Sequence, residues 1–156
     1  MIKKKIKILV AGGSGFIGTN LLKKISKNKN FQVFATLYKS KKYKRVSNVR
    51  YSRINLLNKK NCEKVTKNID IIIMSAAISS GAKIMANSPL AHLTPNLIMN
   101  SLMLEAAYKN NVKKFVFLSS NTVYPAKTNF MKETDSSYSF FEGYHIVAWM
   151  KKFTEE

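Results

Sequence analysis

The chain has 156 residues, with 27 Lys and Arg against 8 Asp and Glu and a formal net charge of +19, which gives room for one hydrophobic core but not for two domains of ordinary size. Its 46% hydrophobic and 22% charged residues exclude a disordered chain, and its one cysteine, Cys62, excludes an intrachain disulfide and a cysteine-rich metal site and fits the cytoplasm. The positive charge is nearly all lysine, dispersed among isoleucines and asparagines, with only Arg45, Arg50 and Arg53 beside it; nucleic-acid recognition favours the arginine fork, so no nucleic-acid partner is expected.

The opening MIKKKIKILVAGG has a basic start, but its apolar part, Ile8 to Ala11, ends at glycines and is shorter than a signal core. No run approaches the roughly 18 apolar residues that span a bilayer, so no membrane is expected. Residues 5–11, KIKILVA, read as a first strand. The turn AGGSGFIGTNLL follows, in which Gly12, Gly15 and Gly18 form one glycine pattern and Gly13, Gly15 and Gly18 a nested G-x-G-x-x-G. Glycine serves there for a tight turn, for close approach of backbone to a pyrophosphate and for packing of helix on strand. A helix over residues 16–27 then offers free N–H groups and its positive dipole end to the anion. The turn residues Gly12, Gly13, Ser14, Gly15, Phe16, Ile17 and Gly18 are therefore assigned to a dinucleotide cofactor.

A second strand, FQVFATL (31–37), runs out into Tyr38-Lys39-Ser40-Lys41-Lys42, with no acid to bind the 2′-hydroxyl of NAD. Cations there suit a 2′-phosphate, so NADP is expected over NAD, with Lys39 and Arg45 as contacts. VRYSRI (49–54), DIIIMSAA (70–77) and KFVFLSS (114–120) supply three further strands; except for VRYSRI, the five runs are apolar enough to be covered on both faces. Helices are expected at 58–67, 95–110 and 140–156. For the helix at 95, Thr94 is the expected cap, Pro95 the first-turn residue and Asn110-Asn111 the end. Leu97, Ile98, Leu102, Leu104 and Ala106 predict burial over a wide face, with Met99 and Met103 as core filling. The longest irregular stretch is 121–139. Strand and helix in alternation predict an α/β fold: a Rossmann-like, doubly wound parallel sheet of about five strands in three layers.

These segments together resemble the NAD(P)-dependent nucleotide-sugar epimerase/dehydratase family, the extended short-chain dehydrogenases. INLLN (54–58) resembles the family's segment after the third strand, which puts Asn55 and Leu56 near adenine. DIIIMSAA resembles its fourth strand, with Ala76 and Ala77 along the cofactor. PNLIMNSLMLEAA resembles its asparagine-bearing helix, with Asn96 in that place, and VKKFVFLSSNTVYP its fifth strand and serine turn. Within the family, SSGAKIMANSPLAHLTPNLIMN and the proline after Val123-Tyr124 are most similar to the GDP-fucose synthase branch, which implies NADPH-dependent epimerisation and reduction of a GDP-4-keto-6-deoxy sugar.

The resemblance implies Ser120 as the catalytic serine, with Ser119 as its neighbouring alternative, and a Y-x-x-x-K motif whose tyrosine is the acid/base and whose lysine binds the nicotinamide ribose. The candidates are Tyr144 and Lys151, seven residues apart and about 10.5 Å along a helix. Counting from Tyr144 puts Ala148 at the lysine place; counting back from Lys151 puts Val147 at the tyrosine place and Glu155 four residues on. Thr122 stands where the GDP-fucose synthases use a cysteine, and His92 and His145 read as surface or loop histidines. Family members run to about twice this length, so residues 1–156 are expected to form the cofactor-binding domain without the C-terminal substrate domain. The alternative reading is a non-catalytic NADP-binding module. A homodimer through helices 95–110 and 140–156 is also implied, with no metal.

Overall fold

The computed structural model describes residues 4–40, 43–78, 87–125, 130–140 and 142–156. Lys41 and Lys42, residues 79–86 of the stretch expected to resemble the GDP-fucose synthase branch, residues 126–129 of the expected loop and Phe141 of the expected last helix lie outside them. The strands are β1 (Ile6–Ala11), β2 (Phe31–Leu37), β3 (Val49–Arg53), β4 (Ile71–Met74) and β5 (Lys114–Phe117). The α-helices are α1 (Phe16–Ile25), α2 (Lys59–Thr66), α3 (Pro89–Lys109) and α4 (His145–Glu155). The strands form one sheet in the order β3-β2-β1-β4-β5, every neighbouring pair parallel. The chain winds outward from β1 in one direction to β3 and then, through β4, in the other. The order therefore reverses between β1 and β4, and in such sheets ligands bind outside the strand carboxyl ends at that point.

The chain divides into two compact units, residues 1–77 with 99–118, and residues 78–98 with 119–156. The first holds the sheet, and its core alternates along the strands as side chains of period two must. Leu9, Ala11, Ile72 and Met74 pack with Cys62 of α2 and with Met99, Met103, Ala106 and Ala107 of α3. Val10, Val33 and Ala35 pack with Leu22 of α1 on the other face. Helices cover both faces, which gives the expected three layers.

Three expectations are corrected. α3 starts at Pro89, six residues before Pro95, so Pro95 lies inside the helix and Thr94 is no cap. Ser88-Pro89 is a second Ser/Thr-Pro start signal, and Pro89, lacking an N–H, suits the first helical position as well as Pro95 does. Ile98 and Leu104 are 44% and 36% exposed, because the inward stripe of α3 runs through Asn96, Met99, Asn100, Met103, Ala106 and Ala107. Lastly, β5 is only partly covered: Phe115, Val116 and Phe117 keep intermediate exposure, since β5 is the outermost strand on its side of the sheet.

The second unit contains the first part of α3, the 3-10 turns Asn121–Val123, Glu133–Asp135 and Glu142–Tyr144, and α4. Ala148, Met150 and Thr154 form the buried side of α4. Among the described residues, no helix is long and apolar enough to cross a membrane.

Candidate functional site

In the first unit the loop after β1 comes against the end of β4, at the place where strand order reverses. Gly12 has φ +88°, and a Cβ there would lie 2.7 Å from the backbone of Ala76. Only glycine combines that conformation with that approach. The turn's backbone is tied to β2 and α1: Gly12 N–H donates to Thr36 Oγ1 at 3.1 Å, Gly13 N–H to the Thr36 carbonyl at 2.8 Å, and Thr19 Oγ1 to the Gly13 carbonyl at 3.1 Å. Gly13 and Gly18 are likewise packed too closely for a side chain, whereas a Cβ on Gly15 would meet nothing nearer than 3.4 Å. Packing therefore gives no reason for glycine at 15.

Gly15 caps α1 without any side-chain hydrogen bond, and the first turn of α1 carries no acid. The free N–H groups and positive dipole end of α1 thus open beside a glycine that leaves the approach clear, and this fits a pyrophosphate. Phe16 and Ile17 stand outward, 85% and 55% exposed.

The segment after β2 lies beside this turn. Ser14 Oγ donates to Ser40 Oγ at 3.0 Å, and Arg53, at the end of β3, donates from Nη1 to the Tyr38 carbonyl at 2.6 Å and from Nη2 to the Ser40 carbonyl at 3.1 Å. Arg53 thereby clasps the backbone on both sides of Lys39. The Lys39 ammonium sits over the Tyr38 ring at 5.3 Å, and Arg45 is drawn over Tyr51 at 5.5 Å. Sequence reasoning missed Arg53; the available signal was an arginine at a strand end in a chain that has only three.

Asn55 Oδ1 accepts from Leu57 N–H at 3.0 Å, and the Asn55 carbonyl accepts from Asn61 Nδ2 at 2.9 Å, so this residue shapes the approach to α2. Leu56 is buried, and its carbonyl accepts from the Cys62 thiol at 3.2 Å. Burial pushes that thiol up to about 11, with the charge of Glu63 adding to the effect.

In the second unit, Asn96 is almost fully buried. Its Oδ1 accepts from Ile78 N–H at 2.8 Å, and its Nδ2 donates to the carbonyls of Ile78 at 2.9 Å and His92 at 2.8 Å. It clamps the backbone directly after Ala77. His92 is not the surface histidine expected: it is 9% exposed on α3, and among the described residues its Nδ1 has no hydrogen-bond partner. Burial, and then the charge of Lys151, hold the His92 imidazole below its usual value. Burial likewise lowers the Lys151 ammonium, against the opposing charge of Glu155.

Ser119 donates to the Glu155 carboxylate. Ser120 Oγ accepts from Thr122 N–H at 3.2 Å and caps the 3-10 turn Asn121–Val123. Lys151 and Glu155, four residues apart, share one face of α4, and Glu155 reaches Ser119. Tyr144 differs from expectation: it is exposed, closes the 3-10 turn Glu142–Tyr144 and stands at the cap of α4, outside the helix. His145 is exposed, with Nδ1 2.8 Å from the Glu142 carbonyl. An open apolar groove of about 610 Å³ lies between Leu93, Phe140, Ile146 and Trp149, but none of Ser120, Tyr144 and Lys151 lines it.

A family model described as the NAD dependent epimerase/dehydratase family matches residues 8–147. The chain is 28% identical over 140 residues to GDP-mannose 3,5-epimerase 1 of Oryza sativa subsp. indica, a match covering 85% of this chain and 37% of that protein. It is 30% identical over 122 residues to the GDP-L-colitose synthase of Yersinia pseudotuberculosis, covering 77% and 35%. The structure of UDP-glucose 4-epimerase from Bifidobacterium longum, in complex with NAD+ and UDP, superimposes with a TM-score of 0.76 at 26% identity, covering 96% of this chain and 47% of that one. The chain thus spans little more than a third of these curated relatives.

Proposed function

Because the chain belongs to the NAD dependent epimerase/dehydratase family, we propose that it is the cofactor-holding part of an NADP-dependent nucleotide-sugar epimerase or reductase of the GDP-fucose synthase type. The observation that carries this is the coincidence of the family match with an open glycine turn at the sheet's switch point. In this reading Gly12 to Gly18 receive the pyrophosphate, Asn55 and Leu56 flank adenine, and Ala76 and Ala77 run along the dinucleotide. Asn96 positions that last stretch through its hold on Ile78. Lys39 and the Arg53 clasp supply positive charge for a 2′-phosphate where NAD sites carry an acid. Bound NADPH supplies the hydride. Ser120 hydrogen-bonds the sugar oxygen, Tyr144 moves the proton, and Lys151, with Glu155 behind it, binds ribose. A GDP-4-keto-6-deoxy sugar is the substrate we favour, in keeping with two relatives named for GDP-sugars. Thr122 is a poor proton shuttle near neutral pH, which favours reduction over epimerisation.

Calorimetric titration tests the cofactor: NADP+ binds at least about tenfold tighter than NAD+, and Arg53→Gln abolishes that preference while NAD+ affinity stays. Equal affinities in the unaltered chain reject the NADP assignment, and no binding of either rejects the function. Given binding, turnover of the keto sugar with NADPH falls about a hundredfold or more in Tyr144→Phe and Lys151→Ala. A second reading, a dinucleotide-binding module without catalysis, is favoured by the position of Tyr144 outside α4 and by Val147 one turn before Lys151. Binding without any turnover selects it.

A further inference from the structure

The opposite end of the same sheet carries a second concave surface. A cleft of about 820 Å³ opens along the amino-terminal edge of β1, β2 and β3, between Lys4, Lys5, Lys7, Lys27, Lys29 and Arg50. It lies about 20 Å from the glycine turn, the length of the six-residue β1. The other polar residues lining it are Ser26, Asn28, Gln32 and Asn48; among the described residues no acidic one lines it. Six basic residues thus border one concavity.

Two nearby features of opposite sign do not balance them. The carboxyl end of α1, at Ser26, contributes about half a negative charge. Asp70 already accepts from Lys7 N–H at 2.9 Å and pairs with Lys113 at 3.1 Å. About five positive charges remain uncompensated. We infer that this cleft is a binding site for a compact oligophosphate anion, separate from the dinucleotide turn. High charge density in a small volume matches the cluster, and the neutral hydroxyl and amide donors match phosphate oxygens. A nucleic-acid strand fits less well, because the aromatic in the lining, Phe31, is half-buried and offers little platform for stacking bases.

Tripolyphosphate is the probe, titrated calorimetrically into the chain in about 0.15 M salt, where free surface charges are largely screened. Lys27→Gln/Lys29→Gln/Arg50→Gln weakens binding at least about tenfold, because half the cluster is gone. The control Lys60→Gln/Lys64→Gln/Lys67→Gln removes the same charge from exposed positions outside the cleft and changes affinity less than about twofold. Saturating NADP+ leaves tripolyphosphate affinity unchanged. The inference is overturned by no binding, by equal losses in the two triple variants, by competition with NADP+, or by an eight-residue oligouridylate that depends on the cleft where tripolyphosphate does not. All six substituted side chains are exposed, so folding is preserved, and matching unfolding midpoints check it.

Discussion

Gly12 and Gly15 stand three residues apart and meet opposite demands. Gly12 is fixed by fold: φ +88° and a Cβ 2.7 Å from Ala76 make Gly12→Ala cost about 2–4 kcal/mol in chemical unfolding. Gly15 is not fixed by packing, and the proposed function gives it to the cofactor: Gly15→Ala, with nothing nearer than 3.4 Å, loses under about 1 kcal/mol of stability yet weakens the proposed NADP+ binding by about tenfold or more. A pair of variants that lose stability and affinity in parallel would show that Gly15 is structural too. His92 makes a prediction on pH. Its folded value lies below the usual 6.5, so below that pH the unfolded chain takes up the proton first. Stability therefore declines as pH falls from about 6.5 to the folded value, and His92→Leu removes that part of the slope in unfolding titrations. Neither His92 nor Arg53 could be placed from sequence alone, because each is defined by its surroundings: burial for the first, and carbonyls 15 and 13 residues earlier for the second.

At the scale of elements, α2 and α3 meet through two kinds of polar contact that differ in worth. Thr66 is fully buried; its Oγ1 donates to the Cys62 carbonyl at 2.9 Å, lies 3.3 Å from the Ala106 carbonyl and accepts from Asn110 Nδ2 at 2.8 Å. On the surface, Glu105 pairs with Lys59 and Lys109, each at 2.7 Å, and these two lysines hold its carboxyl at about 2. Thr66→Val is expected to lose about 1–3 kcal/mol in unfolding, because buried partners are stranded. Glu105→Gln is expected to cost much less, and 1 M salt should erase the difference from the unaltered chain. A larger loss in Glu105→Gln would reverse that ranking. α3 also shows why its start was misread: Ser88-Pro89 and Thr94-Pro95 carry the same local signal, and local chemistry does not choose between them. In the folded helix, Pro95 offers no N–H to the Ala91 carbonyl, while Asn96 Nδ2 serves the next carbonyl, that of His92.

At the scale of the whole molecule, both helices expected at a homodimer interface leave apolar side chains in water. On α3 these include Ile98, Leu104 and Tyr108; on α4, Trp149 and Phe153 stack with centroids 5.5 Å apart while 44% and 52% exposed. The proposed dimer predicts that sedimentation gives a dimer at micromolar concentration and that Trp149→Glu with Phe153→Glu gives a monomer; a monomeric unaltered chain would reject it. The five strands and the glycine turn were legible in the sequence, because apolar runs, glycine spacing and the following helix are properties of neighbouring residues. The acid-free end of β2 was legible for the same reason, as was the end of α3 at Asn110-Asn111, where Asn111 takes φ +53°. Only the tertiary structure decided which stripe of α3 faces inward, that His92 is buried near Lys151, that Tyr144 stands outside α4, and that Arg53 clasps the loop around Lys39. Each of these depends on contacts between residues distant in the chain, which local periodicity does not encode.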